Sequence, residues 1–294
     1  MRYNARIYII LFLGVFALSS SAIFVRLSQS PSSVTAFYRM LFTVLALLPL
    51  LLFSQKERAE LKDWSFKEWL MASLSGIIVA ADYVIWFESL RFTSVASSTV
   101  LVALQPLFSI LFGYLLLSEK ADRTQLTGCA IAILGSVIIG GGDMMISGKA
   151  LFGDLLALIA AALIPLYFLI GQVIRRKRSA VTYSVVSYSA STAALFLYVL
   201  VKGDPLTGYP AGTWWSLIGL ALIATVGGQF VFTLLLRKVP ATAVTMSILG
   251  EPVGTIILAF LILGERISMQ QFLGIALILL GLGIASRKPA NGSS

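Results

Sequence analysis

Apolar residues run through the chain in long stretches, and polar positions fall either in the short gaps between them or singly within them. A helix that crosses a bilayer needs about 20 mostly apolar residues at a rise of about 1.5 Å each. Ten stretches meet that requirement: 6–27, 33–54, 67–90, 93–117, 123–142, 151–174, 180–201, 212–236, 240–263 and 268–286. The gaps are too short to hold a separate soluble domain. The pattern therefore predicts an all-α membrane protein of ten transmembrane helices. Composition agrees, since 58% of the 294 residues are hydrophobic and 12% charged, against about 25% charged in soluble domains. The first stretch has some look of a secretory leader, with "SSSA" at 19–22 resembling a cleavage region. It is long for a leader's apolar segment and a second stretch follows at once, so it is read as a retained first helix.

The net charge of +9 invites a nucleic-acid reading, but the placement of the charges argues against one. Sixteen of the 22 Lys and Arg fall at the N-terminus, in alternate gaps and at the C-terminus. They are Arg2 and Arg6; Lys56, Arg58, Lys62 and Lys67; Lys120 and Arg123; Arg175, Arg176, Lys177 and Arg178; Arg237 and Lys238; Arg287 and Lys288. Arg26, Arg91, Lys149, Lys202 and Arg266 lie on the other side, and Arg39 lies within a stretch. Basic residues gather on the cytoplasmic side, so both termini are expected there, in a multi-pass protein of the cell membrane. The "RRKR" at 175–178 could instead bind anionic lipid or nucleic acid; orienting the chain is the simpler role. Histidine is absent and Cys129 is single, which removes an intrachain disulfide and the commonest metal ligand. No metal or cofactor is expected.

The chain contains a duplication. "LRFTSVASSTVLVALQPLFSILFGYLLLSEKADRTQLTGCAIAILG" (90–135) aligns without a gap on "LRKVPATAVTMSILGEPVGTIILAFLILGERISMQQFLGIALILLG" (236–281). Pro106 and Pro252, Glu119 and Glu265, and Gly128 and Gly274 all match at one offset of 146 residues. Two units follow, 1–145 and 146–294, each with five spans. Five is odd, so the second unit enters the membrane from the opposite side. Inverted repeats of this kind build many secondary transporters, with the substrate site near the midplane where the halves meet.

These paired segments resemble the two repeats of the drug/metabolite transporter superfamily, EamA type, and "DYVIWFESLRFTSVA" (82–96) resembles the third-to-fourth helix junction of its bacterial members. "FYRMLFT" around Arg39 is similar to the family pattern FxRxxxA, with Thr43 in the place of the alanine. The resemblance spans 6–286 and implies a ten-helix carrier working by alternating access, many relatives of which export amino acids or other metabolites. It does not select a substrate.

Prolines and ionisable residues inside the stretches mark candidate site positions. Proline removes a backbone donor and collides with the carbonyl four residues back, so Pro106, Pro165 and Pro252 are expected to kink their helices and free the carbonyls of Val102, Ala161 and Ile248. The 146-residue counterpart of Pro165 is Ser19, beside Ser20 in "SSS". Freed backbone is tolerated in a membrane where it lines a cavity, although proline is also frequent in spanning helices for packing alone. Arg39, Asp82, Glu88 and Glu251 are the acids and base within spans. Each costs about 2.5–3.5 kcal/mol at a helix centre, and such residues usually face an interior or a pathway.

Asp82, Trp86 and Ser89 share one helical face by their spacing. Tyr83 and Phe87 form the adjacent stripe, and the repeat partners of Tyr83 and Trp86 are Gln229 and Phe232. This predicts a wall of aromatic and amide groups, to which Ser20, Gln105 and Tyr167 are assigned as further substrate contacts; an aromatic packing stripe is the competing reading. Arg39 and Glu88 lie at similar depths, which predicts an outer gate or a structural ion pair, with Asp82 as the competing partner of Arg39. Glu251 matches Gln105, so its charge exists in one half only. It is expected, with Asp82, to carry a coupling proton or face a substrate amine; the rival account is a carboxyl that only accepts a hydrogen bond. Glu119 and Glu265 are expected to cap helix ends or pair with Lys120 and Arg266. The glycine spacings of Gly128 with Gly135 and Gly274 with Gly281 predict close helix packing within one chain or, alternatively, in a homodimer.

Three function classes remain. A secondary carrier fits the repeat and the buried acids, and no GxxxxGK[ST] nucleotide motif occurs. An intramembrane enzyme would need an Asp pair or a Ser–Lys set, and neither stands out. A channel or scaffold would show non-saturable flux or none. The expected partners are a small-molecule substrate, the bilayer and protons, without nucleic acid. Amino acids or related metabolites rank first as exported substrates and cationic drugs second.

Overall fold

The computed structural model describes residues 4–89, 91–93, 98, 101–119, 122–140, 148–264 and 268–285. Its elements are helices: α1 (Ala5–Leu27), α2 (Ser32–Phe53), α3 (Gln55–Lys62), α4 (Phe66–Ser89), α5 (Gln105–Leu117), α6 (Arg123–Gly140), α7 (Gly148–Arg175), α8 (Ala180–Lys202), α9 (Ala211–Leu235), α10 (Ala241–Ile248), α11 (Glu251–Leu263) and α12 (Met269–Ala285). Among the described residues seven helical segments are long and apolar enough to cross a membrane, with α10 and α11 counted together, and α5, α6 and α12 are shorter apolar helices. Each overlaps one of the ten predicted stretches, several beginning or ending a few residues beyond it. The basic residues Arg2, Lys120, Arg287 and Lys288, the Glu265 and Arg266 pair, and positions 90 and 94–96 of the third-to-fourth junction lie outside the described residues.

The helix ends obey local chemistry. Asn4, Ser54 and Ser179 each cap a helix by accepting a backbone N–H from inside its first turn. Gly203 and Gly264 close α8 and α11 in the left-handed conformation, at φ 71° and 69°. Three features depart from expectation. The gap at 55–66 holds the polar helix α3, which an apolar pattern does not reveal. The helix expected across 240–263 is broken between α10 and α11. Within α9, Leu220–Phe230 winds as a π-helix, a form that usually marks a functional position when it interrupts an α-helix.

Packing partners recur at repeat-equivalent places. α4 lies against α7 and α8, as α9 lies against α1 and α2; α5 lies against α7 as α11 lies against α1. A glycine-lined seam joins α6 to α12. A Cβ built at Gly128 would come 2.5 Å from the Gly281 carbonyl oxygen, and one at Gly135 would come 2.6 Å from that of Gly274. Only glycine permits this approach, and the crossed pairing makes the two helices antiparallel. The glycine spacing thus serves a contact within one chain.

At one end of the bundle the loops are bound together by charge. Arg178 donates to Glu68 at 2.6 Å and to Asp63 at 2.9 Å. Those bonds, Glu68 first, hold its pKa above the ordinary arginine value. Glu60 of α3 accepts from the Ser179 N–H at 2.7 Å and from the Thr182 hydroxyl at 2.6 Å. The arginine of "RRKR" at 178 therefore ties the 55–66 segment to the start of α8.

Candidate functional site

The two breaks in the chain define the site. α5 starts at Gln105 and α11 at Glu251, each with a proline next, where the missing N–H has no helical partner to lose. The turns before them close with short bonds: the Leu104 N–H reaches the Leu101 carbonyl at 3.0 Å, and the Gly250 N–H reaches that of Ser247 at 3.0 Å. Pro106 and Pro252 therefore start new helices and do not kink continuous ones, which corrects the expectation. Pro165 sits inside the unbroken α7.

A cavity of about 380 Å³ surrounds both starts, lined by Val102, Ala103, Gln105 and Pro106 from one break and Ile248, Leu249, Glu251 and Pro252 from the other, with Trp86 among its further walls. A second cavity of about 140 Å³ shares Trp86, Val102, Gln105, Ile248 and Glu251 with the first and adds Ser21, Arg39, Asp82, Tyr83, Gln229 and Phe232. Most of this lining comes in pairs 146 residues apart: Tyr83 with Gln229, Trp86 with Phe232, Val102 with Ile248, and Gln105 with Glu251. The Tyr83 hydroxyl and Gln229 Oε1 approach to 3.5 Å, so repeat-equivalent residues meet across the site.

The charged residues break the pairing. Arg39 matches Val185, Asp82 matches Gly228, and Glu251 matches Gln105. Arg39 is 8% exposed. Its Nε donates to the Thr225 hydroxyl at 2.8 Å and its Nη1 to Ser21 at 3.2 Å, while its guanidinium stacks 4.9 Å from the centre of the Tyr83 ring. Thr225 belongs to the π-helical segment, where its hydroxyl donates to the carbonyl of Leu220 five residues back. The irregular winding thus carries the hydroxyl that holds Arg39. Asp82 is 9% exposed. Among the described residues neither its side chain nor that of Glu251 accepts a hydrogen bond. The Gln229 Nε2 and Trp86 Nε1 donors are buried and unpartnered. A buried donor without a partner costs free energy comparable to a lost hydrogen bond, so this concentration of unused polar groups is unlike ordinary packing.

Seven of the assigned contacts, Asp82, Tyr83, Trp86, Gln105, Gln229, Phe232 and Glu251, line these two cavities. Ser20 and Tyr167 do not. The Ser20 hydroxyl turns back to the Ala17 carbonyl at 2.6 Å, and its neighbour Ser21 takes the place in the wall. Tyr167 is fully buried and bonds to Tyr188 at 3.1 Å and Thr233 at 3.0 Å. Ser19 is a fastening between helices: its hydroxyl shares its proton between the Val15 carbonyl at 2.8 Å and the Glu251 carbonyl at 3.0 Å, and the Thr255 hydroxyl donates to the Ser19 carbonyl at 3.2 Å.

The Arg39–Glu88 pair is also corrected. Glu88 bonds to Lys202 at 2.8 Å, Arg91 at 2.9 Å and Tyr198 at 3.1 Å, because it faces α8 at the rim while Arg39 faces inward. Glu119 accepts from Gln172 Nε2 at 2.5 Å, and Gln172 Oε1 accepts the Ala241 N–H at 2.5 Å, so Glu119 and Gln172 together tie the end of α5 to α7 and α10. Leu18 and Ile164, a wall pair not foreseen, follow the same 146-residue rule.

The model of the EamA-like transporter family matches the chain twice, at 5–141 and 151–287, with the same offset of 146 residues as the internal alignment. An "uncharacterized transporter" of Archaeoglobus fulgidus is 26% identical over 294 residues, covering 97% of this chain and 99% of its own. The "uncharacterized transporter YwfM" of Bacillus subtilis is 27% identical over 231 residues, covering 78% and 76%. One solved crystal structure superposes with a TM-score of 0.80 at 16% identity, covering 96% of this chain and 97% of that one, a likeness of fold. With the family match covering nearly the whole chain, this multi-pass membrane protein belongs to the EamA-like transporter family.

Proposed function

We propose that the protein is a secondary-active carrier that exports small metabolites, amino acids or related compounds first among them, by alternating access around the paired cavities. The observation that carries this reading is the meeting of two broken helices at repeat-equivalent prolines, around a chamber whose Arg39, Asp82 and Glu251 are held by no ion pair among the described residues. Such discontinuous helices form substrate and ion sites in repeat-built transporters. The antiparallel α6–α12 seam and the recurring packing partners support two inverted five-helix units, 1–145 and 146–294. The distribution of Lys and Arg supports termini on the cytoplasmic side of the cell membrane. Proton coupling through Glu251 or Asp82 fits their seclusion from bulk water.

A second reading, efflux of cationic drugs, is favoured by two carboxylates against one guanidinium beside an aromatic wall. Uptake into proteoliposomes under an imposed pH gradient separates these. The panel holds amino acids and lipophilic cations, with Glu251→Gln and Asp82→Asn beside the parent. Saturable flux of an amino acid whose gradient response drops about tenfold in either variant, the scale of one charge-assisted bond, is the expected result. Saturable flux of cations alone selects the second reading, and non-saturable flux removes the carrier.

A further inference from the structure

We infer that the outer face of α3 is a docking surface for the anionic phospholipid headgroups of the leaflet beside which it lies. The surface is separate from the central cavities and does not depend on what the carrier moves.

The depth of α3 comes from its flanks. Phe53 ends α2 and Phe66 begins α4, and they are 88% and 82% exposed. Rings so bare belong against hydrocarbon and not against water. Trp69, in the first turn of α4 and partly exposed, marks the headgroup layer, where indole rings gather. α3 joins these points, so it lies at the bilayer surface.

Charge is sorted across the helix. At about 3.6 residues per turn, Glu57, Glu60 and Leu61 fall on one side of "QKERAELK" and Gln55, Arg58, Ala59 and Lys62 on the other, with Lys56 at the margin. The acids point into the protein. Glu57 takes the Ser179 hydroxyl, and Glu60 accepts from the Ser179 N–H and the Thr182 hydroxyl. Lys56, Arg58 and Lys62 are exposed, and none has an ion-pair or side-chain hydrogen-bond partner among the described residues. These cations face away from the protein at the level where lipid phosphates lie.

The duplication separates this face from what the fold requires. Ser33 is the repeat partner of Ser179, and it donates to Asp204 in the gap after α8 as Ser179 donates to Glu57 in the gap after α2. An acid tie therefore exists at both repeat-equivalent places. The free bases exist at one. Residues 201–208, "VKGDPLTG", correspond to 55–62 and contain only Lys202, whose ammonium Glu88 takes at 2.8 Å. The inward half of α3 is thus structural, and its outward half is something the matching gap is built without. Orienting the chain needs bases at this end, but not their collection on one bare helix face between two rings seated in lipid. An anionic headgroup complements that face, whereas a zwitterionic one brings its own cation against the same bases.

The test titrates purified full-length protein in neutral detergent with phosphatidylglycerol and, separately, phosphatidylcholine. Bound lipid is counted by native mass spectrometry, and the unfolding midpoint is followed by thermal shift. The parent is expected to prefer phosphatidylglycerol by about tenfold or more, since each base beside an anionic surface carries about a fivefold share, the equivalent of about 1 kcal/mol. Lys56→Gln, Arg58→Gln and Lys62→Gln combined are expected to lower that preference at least tenfold. Arg176→Gln, Lys177→Gln and Lys238→Gln combined remove the same charge from exposed positions at the same end and are expected to keep it. Both variants are compared at the parent's monodispersity and its midpoint in phosphatidylcholine, and Arg58→Gln with Lys62→Gln serves where the triple change fails to fold.

Equal binding of the two lipids by the parent, or a preference kept by the well-folded α3 variant, would overturn the surface. An equal loss in the control would overturn it too, by showing a diffuse field. Displacement of phosphatidylglycerol by inorganic phosphate at matched ionic strength would give the face to a soluble anion and remove the lipid.

Discussion

The seam between α6 and α12 and the chamber beside Glu251 were made by the same duplication and have opposite histories. In the seam the two repeats keep the same residues: Gly128 and Gly274, Gly135 and Gly281, each glycine facing the other helix's backbone. In the chamber paired positions keep their place on the wall but change their chemistry, Gln105 against Glu251 and Tyr83 against Gln229, and Asp82 stands on the wall while its counterpart Gly228 does not. A role in packing is served twice by one residue type, because both helices present the same surface to each other. A polar substrate is not two-fold symmetric, so a site on the axis between repeats gains from differing halves.

The largest expected effect breaks the seam. Gly128→Leu places side-chain atoms where even a Cβ would lie 2.5 Å from the Gly281 carbonyl oxygen. Backbone cannot yield as a flexible side chain does, and overpacking of this kind costs about 3 kcal/mol or more. Loss of folded protein in detergent size-exclusion and thermal-unfolding measurements is expected. Gly283→Leu on the same α12 is the control, since a Cβ there meets nothing within 4 Å, and it is expected to behave as the parent. Equal stability of the two variants would show that the seam does not hold the halves together.

A smaller effect sharpens the chamber side. Glu251→Gln removes the charge, and Gln105→Glu in that background restores it at the repeat-equivalent position on the same wall. Arg39 and Asp82 come from the first repeat alone, so the field around Gln105 is not the field around Glu251. The single variant is expected to lose about tenfold in gradient-driven flux, the scale of one charge-assisted interaction, and the swap to recover less than half of that. Full recovery would make the asymmetry incidental.

Much of this was legible beforehand, for reasons that differ by residue. The apolar stretches locate the helices because a bilayer admits little else, and a constant offset of 146 residues shows which positions face each other across the site. Asp82, Glu251, Gln105 and Gln229 line the cavities because ionisable and polar residues are costly against lipid, and the aromatic contacts Tyr83, Trp86 and Phe232 follow from their spacing from Asp82 and from the repeat offset. What the sequence hides is azimuth and winding. Depth alone pairs Arg39 with Glu88, whereas the direction of each side chain gives Glu88 to Lys202 and Arg39 to Thr225 and Ser21. One step around α1 separates Ser20 from Ser21, and an apolar run offers nothing to fix it. A proline reads alike whether it bends a helix or begins one, and no residue in Leu220–Phe230 announces a π-helical turn.

Not every difference between the repeats belongs to the site, and the smallest expected effect tests that boundary. Ser118 and Gly264 occupy the same place, closing α5 and α11 in the left-handed conformation at φ 56° and 69°, with their N–H groups bonded to the repeat-equivalent carbonyls of Gly113 and Ala259. For serine that conformation costs about 1–2 kcal/mol, while glycine gives back about 0.5–1 kcal/mol through the freedom of its unfolded chain. Ser118→Gly is therefore expected to raise stability by about 0.5 kcal/mol, the difference between those two effects, seen as a small upward shift of the unfolding midpoint. Flux and its gradient response are expected to stay at the parent's values, since Ser118 lines neither cavity. A fall in flux would extend the functional asymmetry from the chamber to the far end of α5 and make its length and closure part of the transport cycle.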